Sequence, residues 1–270
     1  MSHLYFPDDS YTTPSGPSDP ATPFASRLPT LFFAWKAFGM VWRYGRLASA
    51  GKFPAEMWSA SSFEVMQHLE RCGIRFYMEG LSNIDAVDGP CVFIGNHMST
   101  LETFVLPCLI QPRKNVTFVV KDSLVNYPLF GAILKSREPI TVRHKSPRED
   151  FAAVMDQGCE RLGRGMSVIV FPQGMRASSY DPAHFNSLGI KLAKKAGVPV
   201  LPLALRTDAW KPGRIIKDFG TLDPAKPVCF SFGQPMRIEG NGKSEHTAVC
   251  DFIARHWQQW GLLEAASPPQ

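Results

Sequence analysis

Seven short runs rich in β-branched and aromatic residues, spread between residues 74 and 233, constrain the fold of this chain most. They are IRFYME (74–79), CVFIG (91–95), VTFVV (116–120), ITVR (140–143), MSVIVF (166–171), PVLPLAL (199–205) and VCFSFG (228–233). Each has the length of a strand, and most are apolar almost without interruption. A strand with no polar face is buried on both sides. Helix-period stretches separate several of these runs. Phe151, Val154, Met155, Cys159 and Leu162 recur at helical spacing in one, and Val249, Phe252, Ile253, Trp257 and Trp260 in another. The alternation predicts an α/β fold, a mixed and mostly parallel sheet with flanking helices. Pro199 and Pro202 each remove a ladder donor from PVLPLAL, which places that run at a sheet edge or a bulge.

Ahead of the strands the pattern is helical. Residues 30–50 carry Phe32, Phe33, Trp35, Phe38, Met40, Trp42 and Tyr44, with Arg43, Arg46 and Lys52 close by. Gly51 and Pro54 break this stretch from a second one running to residue 72. Residues 30–72 therefore read as a helical hairpin in front of an α/β domain over residues 73–263. Two readings of the hairpin stay open: a core element, or a pair lying on a membrane surface with its aromatics buried and its cations toward headgroups. The longest apolar stretch here, LFFAWKAFGMVW (31–42), contains Lys36 and falls short of the about 20 residues a spanning helix needs. Residues 1–29 hold six prolines among Ser, Thr and Asp and read as a flexible tail, as do residues 264–270. No export signal is evident at the start.

Composition excludes several function classes. The formal charge of +5 is mild, and the basic residues form no dense stripe, so no nucleic-acid partner is expected. The six cysteines lie far apart without a C-x-x-C, which fits core thiols in a reducing compartment rather than a zinc ribbon or a redox dithiol. Neither G-x-x-x-x-G-K-[ST] nor G-x-G-x-x-G follows a strand.

Two strand ends carry chemistry. After CVFIG comes NHMSTLETF, in which His97 is the residue able to take a proton near neutral pH. Five residues of regular helix advance about 140° beyond a full turn, which would turn Glu102 away from His97. With His97 just before a helix and Glu102 in its first turn, the carboxylate can fold back, hold one ring N–H and leave the other nitrogen as a base. The alternative is purely structural: Ser99 or Thr100 caps the helix and Glu102 completes the cap. The second strand end is FPQGMR (171–176). Gly174 permits a positive φ, Gln173 offers an amide to a polyol, and Arg176 can bind an anion through parallel hydrogen bonds. Lys121, after VTFVV, is a point charge suited to phosphate or carboxylate.

In order, His97-MSTL-Glu102, Lys121-DSLVNYPLFG, FPQGMR and VPVLP resemble the four blocks of the lysophospholipid acyltransferase family, which includes 1-acylglycerol-3-phosphate acyltransferases. The resemblance covers roughly residues 76–205. It implies that His97 deprotonates an acceptor hydroxyl, with Glu102 in the place of the family's aspartate. It further implies that Lys121, Phe171, Pro172, Gln173, Gly174 and Arg176 form the substrate-binding set, with Arg176 and Lys121 on the acceptor's anionic group. The implied partners are a lysolipid acceptor, acyl-CoA or acyl carrier protein as donor, and a membrane surface, docked through the N-terminal helices on its cytoplasmic side. No metal and no bound cofactor are implied. Glu102 for aspartate, Gln173 for glutamate and Met175 for threonine depart from the family pattern; the first keeps the charge, and the other two point to an acceptor other than plain lysophosphatidate. In ITVRH, either Arg143 or His144 stands where the family has an arginine. A lapsed lipid-binding relative is the competing reading. A serine hydrolase is disfavoured, because no G-x-S-x-G elbow is present.

Overall fold

Residues 91–95 and 166–171 lie at the centre of the molecule because their side chains find apolar partners on both sides. In the computed structural model, which describes residues 4–14, 23–143, 146–213 and 219–263, every residue of the central strands Val92–Gly95 and Ser167–Val170 is buried. In chain order the elements are β1 (Tyr11–Thr12), α1 (Pro23–Arg27), α2 (Pro29–Ser49), α3 (Ala55–Arg71), β2 (Phe76–Glu79), α4 (Ser82–Asp85), β3 (Val92–Gly95), α5 (Leu101–Ile110), β4 (Val116–Lys121), α6 (Phe130–Lys135), β5 (Ile140–Val142), α7 (Pro147–Gly163), β6 (Ser167–Val170), α8 (Leu188–Ala196), β7 (Val200–Arg206), β8 (Val228–Phe232) and α9 (Lys243–Gln259). All seven predicted strands are present, and Tyr11–Thr12 adds an eighth.

The sheet order is β1-β2-β8-β7-β3-β6-β4-β5. Strands β7, β3, β6, β4 and β5 run parallel, β2 and β8 are parallel to each other, and β8 meets β7 antiparallel. The sheet is therefore mixed and mostly parallel. Alternating side chains serve its two faces. Phe93 joins a core with Phe32, Leu69 and Leu101 from α2, α3 and α5. Val92 and Ile94 join a second core with Val154, Ile190 and Val249 from α7, α8 and α9. The parallel strands bring the carboxyl ends of β3, β6, β4 and β7 to one edge, where open α/β sheets hold their ligands.

Two expectations are corrected. Strand β7 is interior, so the edge alternative for PVLPLAL fails and the bulge alternative accounts for Pro202. The β7–β8 ladder pairs Leu203 with Phe232, while the bridge beyond it joins Val200 to Met236, one residue more than the ladder's step. Pro202 falls at this offset, where its missing donor is not needed, and its carbonyl accepts the N–H of Gly233 at 2.8 Å. The reading of residues 1–29 as a flexible tail also fails where they are described. Tyr11 pairs with Met78 as an edge strand, Phe6 is buried, and Tyr5 stacks on Phe63 with 4.3 Å between ring centroids. The proline density hid three aromatic anchors. Residues 264–270 lie outside the described residues, as does His144.

The expected hairpin is formed by α2 and α3. One face of α2 is core, with Phe32, Phe33, Ala37 and Met40 buried. At its start Phe33 meets Trp210, beyond β7, at 4.9 Å between centroids. Toward its end Gly45 meets Leu129, beyond β4, so closely that a Cβ at position 45 would lie 2.6 Å from the Leu129 Cβ. The helix therefore runs along the carboxyl edge of the sheet, from the end of β7 to the end of β4.

Candidate active site

Strand β3 ends at Gly95, and the chain crosses Asn96 to Thr100 before α5 begins. Asn96 is fully buried and extends the sheet by side chain: its Nδ2 donates to the Leu205 carbonyl and its Oδ1 accepts the Leu205 N–H, both at 2.8 Å. This fixes the backbone that presents His97. His97 precedes α5, and Glu102, in the first turn of the helix, folds back, so that its Oε1 lies 2.7 Å from His97 Nδ1. The structural alternative holds at the same time. Oε1 also accepts the N–H groups of Met98 at 2.7 Å and Ser99 at 2.9 Å. One carboxylate thus completes the helix start and orients the ring.

Glu102 has no exposed surface. Burial pushes its carboxyl up. The hydrogen bond and charge of His97, the Thr207 hydroxyl and the Ser99 N–H outweigh that and hold it below the ordinary value of 4.5. An ionised carboxylate only accepts, so the proton between the two groups belongs to Nδ1 and the Nε2 lone pair faces outward. Among the described residues no hydrogen bond engages Nε2. The ring stacks face to face on Phe171, with 4.5 Å between centroids and 6° between planes, and Phe171 in turn rests on Phe118 at 6.3 Å.

The FPQGMR loop closes over the same strand end. Gln173 Oε1 accepts the His97 N–H at 2.8 Å, and the His97 carbonyl accepts the Ala177 N–H at 2.8 Å. An amide oxygen serves here as a carboxylate would, without the charge. Gly174 takes φ +71°, a left-handed conformation that costs glycine little. Pro172 is buried, and its carbonyl accepts from Asn186 Nδ2. Arg176 donates to the Thr100 hydroxyl, which brings its guanidinium to the start of α5. Met175 is 76% exposed.

The structure thus brings together His97, Glu102, Phe171, Gln173 and Arg176. Lys121 is exposed at the end of β4, on the same edge of the sheet but with β6 between it and β3. Arg143 is exposed beyond β5, its N–H held by Asp150 Oδ1 at 2.8 Å. Ser99 is buried, with its hydroxyl committed to Glu102 and the Thr207 carbonyl, so it is no nucleophile for His97. Asn96 and Thr207 were not legible as site residues. A polar residue one step beyond an apolar strand is the only hint the sequence carries for Thr207.

A family model described as acyltransferase matches residues 75–206, the segment that holds His97, Glu102, Lys121, Gln173 and Arg176. Residues 75–206 form an acyltransferase-family domain. The chain is 34% identical over 171 residues to a 1-acyl-sn-glycerol-3-phosphate acyltransferase of Pseudomonas aeruginosa, a match covering 63% of this chain and 62% of that protein. It is 28% identical over 153 residues to the chloroplastic 1-acyl-sn-glycerol-3-phosphate acyltransferase BAT2 of Brassica napus, covering 57% of this chain and 41% of that one. The chain thus spans under two thirds of the length of these curated relatives. The crystal structure of the 1-acyl-sn-glycerophosphate (LPA) acyltransferase PlsC from Thermotoga maritima superposes with a TM-score of 0.65 at 19% identity, over 89% of this chain and 98% of that one. That likeness shows the fold alone.

Proposed function

We propose that this protein transfers a fatty acyl group from a thioester, acyl-CoA or acyl carrier protein, to the free hydroxyl of a 1-acylglycerol-3-phosphate-like lysolipid. The observation that carries this reading is the His97–Glu102 contact at 2.7 Å, with Nε2 turned outward and, among the described residues, no serine hydroxyl or cysteine thiol hydrogen-bonded to it. His97 Nε2 takes the acceptor's hydroxyl proton as the oxygen attacks the thioester carbonyl. The tetrahedral intermediate collapses, the carbon–sulfur bond breaks, and the imidazolium returns the proton to the leaving thiolate. Glu102 keeps the tautomer that makes this possible and stabilises the imidazolium. Arg176, at the mouth formed by Thr100 and the FPQGMR loop, suits the acceptor's phosphate, and Lys121 supplies a second cation on the same edge.

The acceptor and the acyl chains are lipids, and α2 supports a membrane-surface location. Leu28, Leu31, Trp35, Phe38 and Trp42 follow one another at steps of three and four residues and are all exposed, Trp35 at 64% and Phe38 at 72%. Lys36 lies over the Trp35 ring at 4.6 Å and Arg46 over Trp42 at 5.0 Å, cations set beside the apolar stripe. No helix among the described residues is long and apolar enough to cross a membrane. An amphipathic helix lying in the interface, along the edge that holds His97, would open the site to lipid. The buried thiols Cys72, Cys91, Cys108, Cys229 and Cys250 are unpaired, which favours the cytoplasmic, reducing side.

Purified protein given acyl-CoA or acyl carrier protein thioesters and a panel of lysolipids tests the reading by mass spectrometry of the lipid products. Acceptor-dependent diacyl product supports it. Lipid binding without thiol release would favour a lapsed relative. The neutral Gln173 and the apolar Met175 favour acceptors beyond lysophosphatidate, and strict preference for lysophosphatidate in the panel counts against that part.

A further inference from the structure

Glu102 carries one methylene more than the aspartate of the family pattern, and its second oxygen goes where the first cannot. Oε1 is filled by His97 Nδ1, Met98 N and Ser99 N. Oε2 reaches across to the end of β7, where the Thr207 hydroxyl donates to it at 2.5 Å. The Ser99 Oγ lies 3.0 Å from Oε2 and 2.9 Å from the Thr207 carbonyl, with one proton to share between them, and the Ser99 N–H is 3.1 Å from Oε2. Thr207 is therefore the one hydroxyl committed wholly to Oε2. It is fully buried, and it stands one residue beyond the segment matched by the family model.

We propose that Thr207 is a positioning residue for His97: its hydroxyl anchors Oε2 of Glu102, and so holds Oε1 in line with Nδ1 and the imidazole proton on Nδ1. The inference rests on the reading of His97 as the base. Without that hydroxyl the outer oxygen loses its shortest hydrogen bond, on a carboxylate with no exposed surface. A buried carboxylate short of donors is more easily protonated. A protonated Glu102 would donate to Nδ1, move the ring proton to Nε2 and leave no base facing the acceptor. The titratable group touching Glu102 is His97. Arg176 stands one step away on Thr100, and Asp208, next to Thr207, pairs instead with Arg206 and Lys226.

The test compares Thr207→Val, Thr207→Ser and Glu102→Asp in the full chain. Thr207→Val is expected to lower kcat by about 10- to 100-fold, the range of one hydrogen bond to a charged group, with acceptor KM held. The acid limb of its pH–rate profile moves to higher pH, because the carboxyl loses a donor that lowered its pKa. Thr207→Ser restores both. A readout independent of turnover is the ¹⁵N chemical shifts of the His97 ring without substrate, which report the tautomer. The share of neutral His97 protonated on Nε2 rises in Thr207→Val and returns in Thr207→Ser. Should the valine variant not fold, Glu102→Asp serves in its place. The shortened carboxylate cannot hold both His97 and Thr207, so adding Thr207→Ser or Thr207→Ala to it costs almost nothing further. A Thr207→Val protein with wild-type tautomer, kcat and acid limb overturns the proposal, as do additive losses in the aspartate background. A wild-type protein that makes no ester, yet whose His97 tautomer follows residue 207, would overturn the proposed function and leave the role of Thr207 standing.

Discussion

The carboxyl edge of the sheet and the outer face of α2 are opposites in how they treat water. At the edge, a carboxylate with no exposed surface is surrounded by donors from His97, Met98, Ser99 and Thr207. On α2, large apolar rings at Trp35, Phe38 and Trp42 stand half or more exposed to solvent, with the Lys36 and Arg46 side chains lying over the two tryptophans. Each is costly unless something compensates: a buried charge needs partners, and an exposed apolar stripe needs a surface to cover it. The edge finds its compensation within the chain, whereas α2 does not. That difference separates chemistry, which the protein organises internally, from location, which depends on something outside it.

The comparison breaks most sharply at His97. His97→Ala is expected to lower turnover by about 10²- to 10⁴-fold, the span typical of general-base catalysis, while circular dichroism and vesicle binding stay unchanged. Undiminished ester synthesis in that variant would remove the base from the mechanism. The outer face of α2 should give the converse result. Replacing Trp35, Phe38 and Trp42 by serine forfeits about 1.5–3 kcal/mol for each side chain that enters lipid, so cosedimentation with anionic phospholipid vesicles should fall at least about 100-fold. Turnover of dispersed short-chain lysolipid should persist. Equal vesicle binding by the triple variant would leave the stripe without a role.

Arg176→Ala sharpens the edge side of the contrast. Loss of a charge-assisted contact to phosphate predicts acceptor KM raised about 10-fold or more, with donor KM unmoved. Gly45→Val tests the joint between the two regions. The side chain has no room against Leu129, and overpacking of this kind costs about 1–3 kcal/mol, read as a lower denaturation midpoint. A midpoint equal to wild type would mean that α2 can lift from α6 without penalty. The smallest effect is on the pH dependence of stability. Because the Glu102 carboxyl is held below its ordinary value of 4.5, its contribution is fully present above that value and is lost as the pH falls through the lower, folded value. Glu102→Gln should flatten the stability curve in that acid window, and an unchanged slope would assign the acid loss to other carboxylates.

Much of this was readable before any coordinates. Near-continuous apolar runs such as Val92–Gly95 and Ser167–Val170 specify strands because burial on both faces tolerates nothing polar. The sequence let His97 and Glu102 pair only if a helix began between them, and left a purely structural cap equally open; a turn of backbone between a strand end and a helix start is what lets the five-residue separation close. Other features were hidden. Tyr5, Phe6 and Tyr11 sit among prolines and aspartates, and only the presence of Phe63 and the edge of β2 turns them into anchors. Pro202 argued against an interior strand until the register of β8 removed the need for its donor.

By itself the sequence determined the layered α/β plan, the two strand ends that carry polar groups, and an aromatic helix with cations beside it. These follow from local rules, the periods of apolar residues and the conformations of glycine and proline. Only the tertiary structure decided that Asn96 grips Leu205, that Gln173 holds the backbone of His97, that Thr207 reaches Glu102 from 105 residues away, and which face of α2 stays uncovered. Local periodicity shows that a side chain will be buried or exposed, but its partner is set by which strands lie side by side, and strand order is a property of the whole chain.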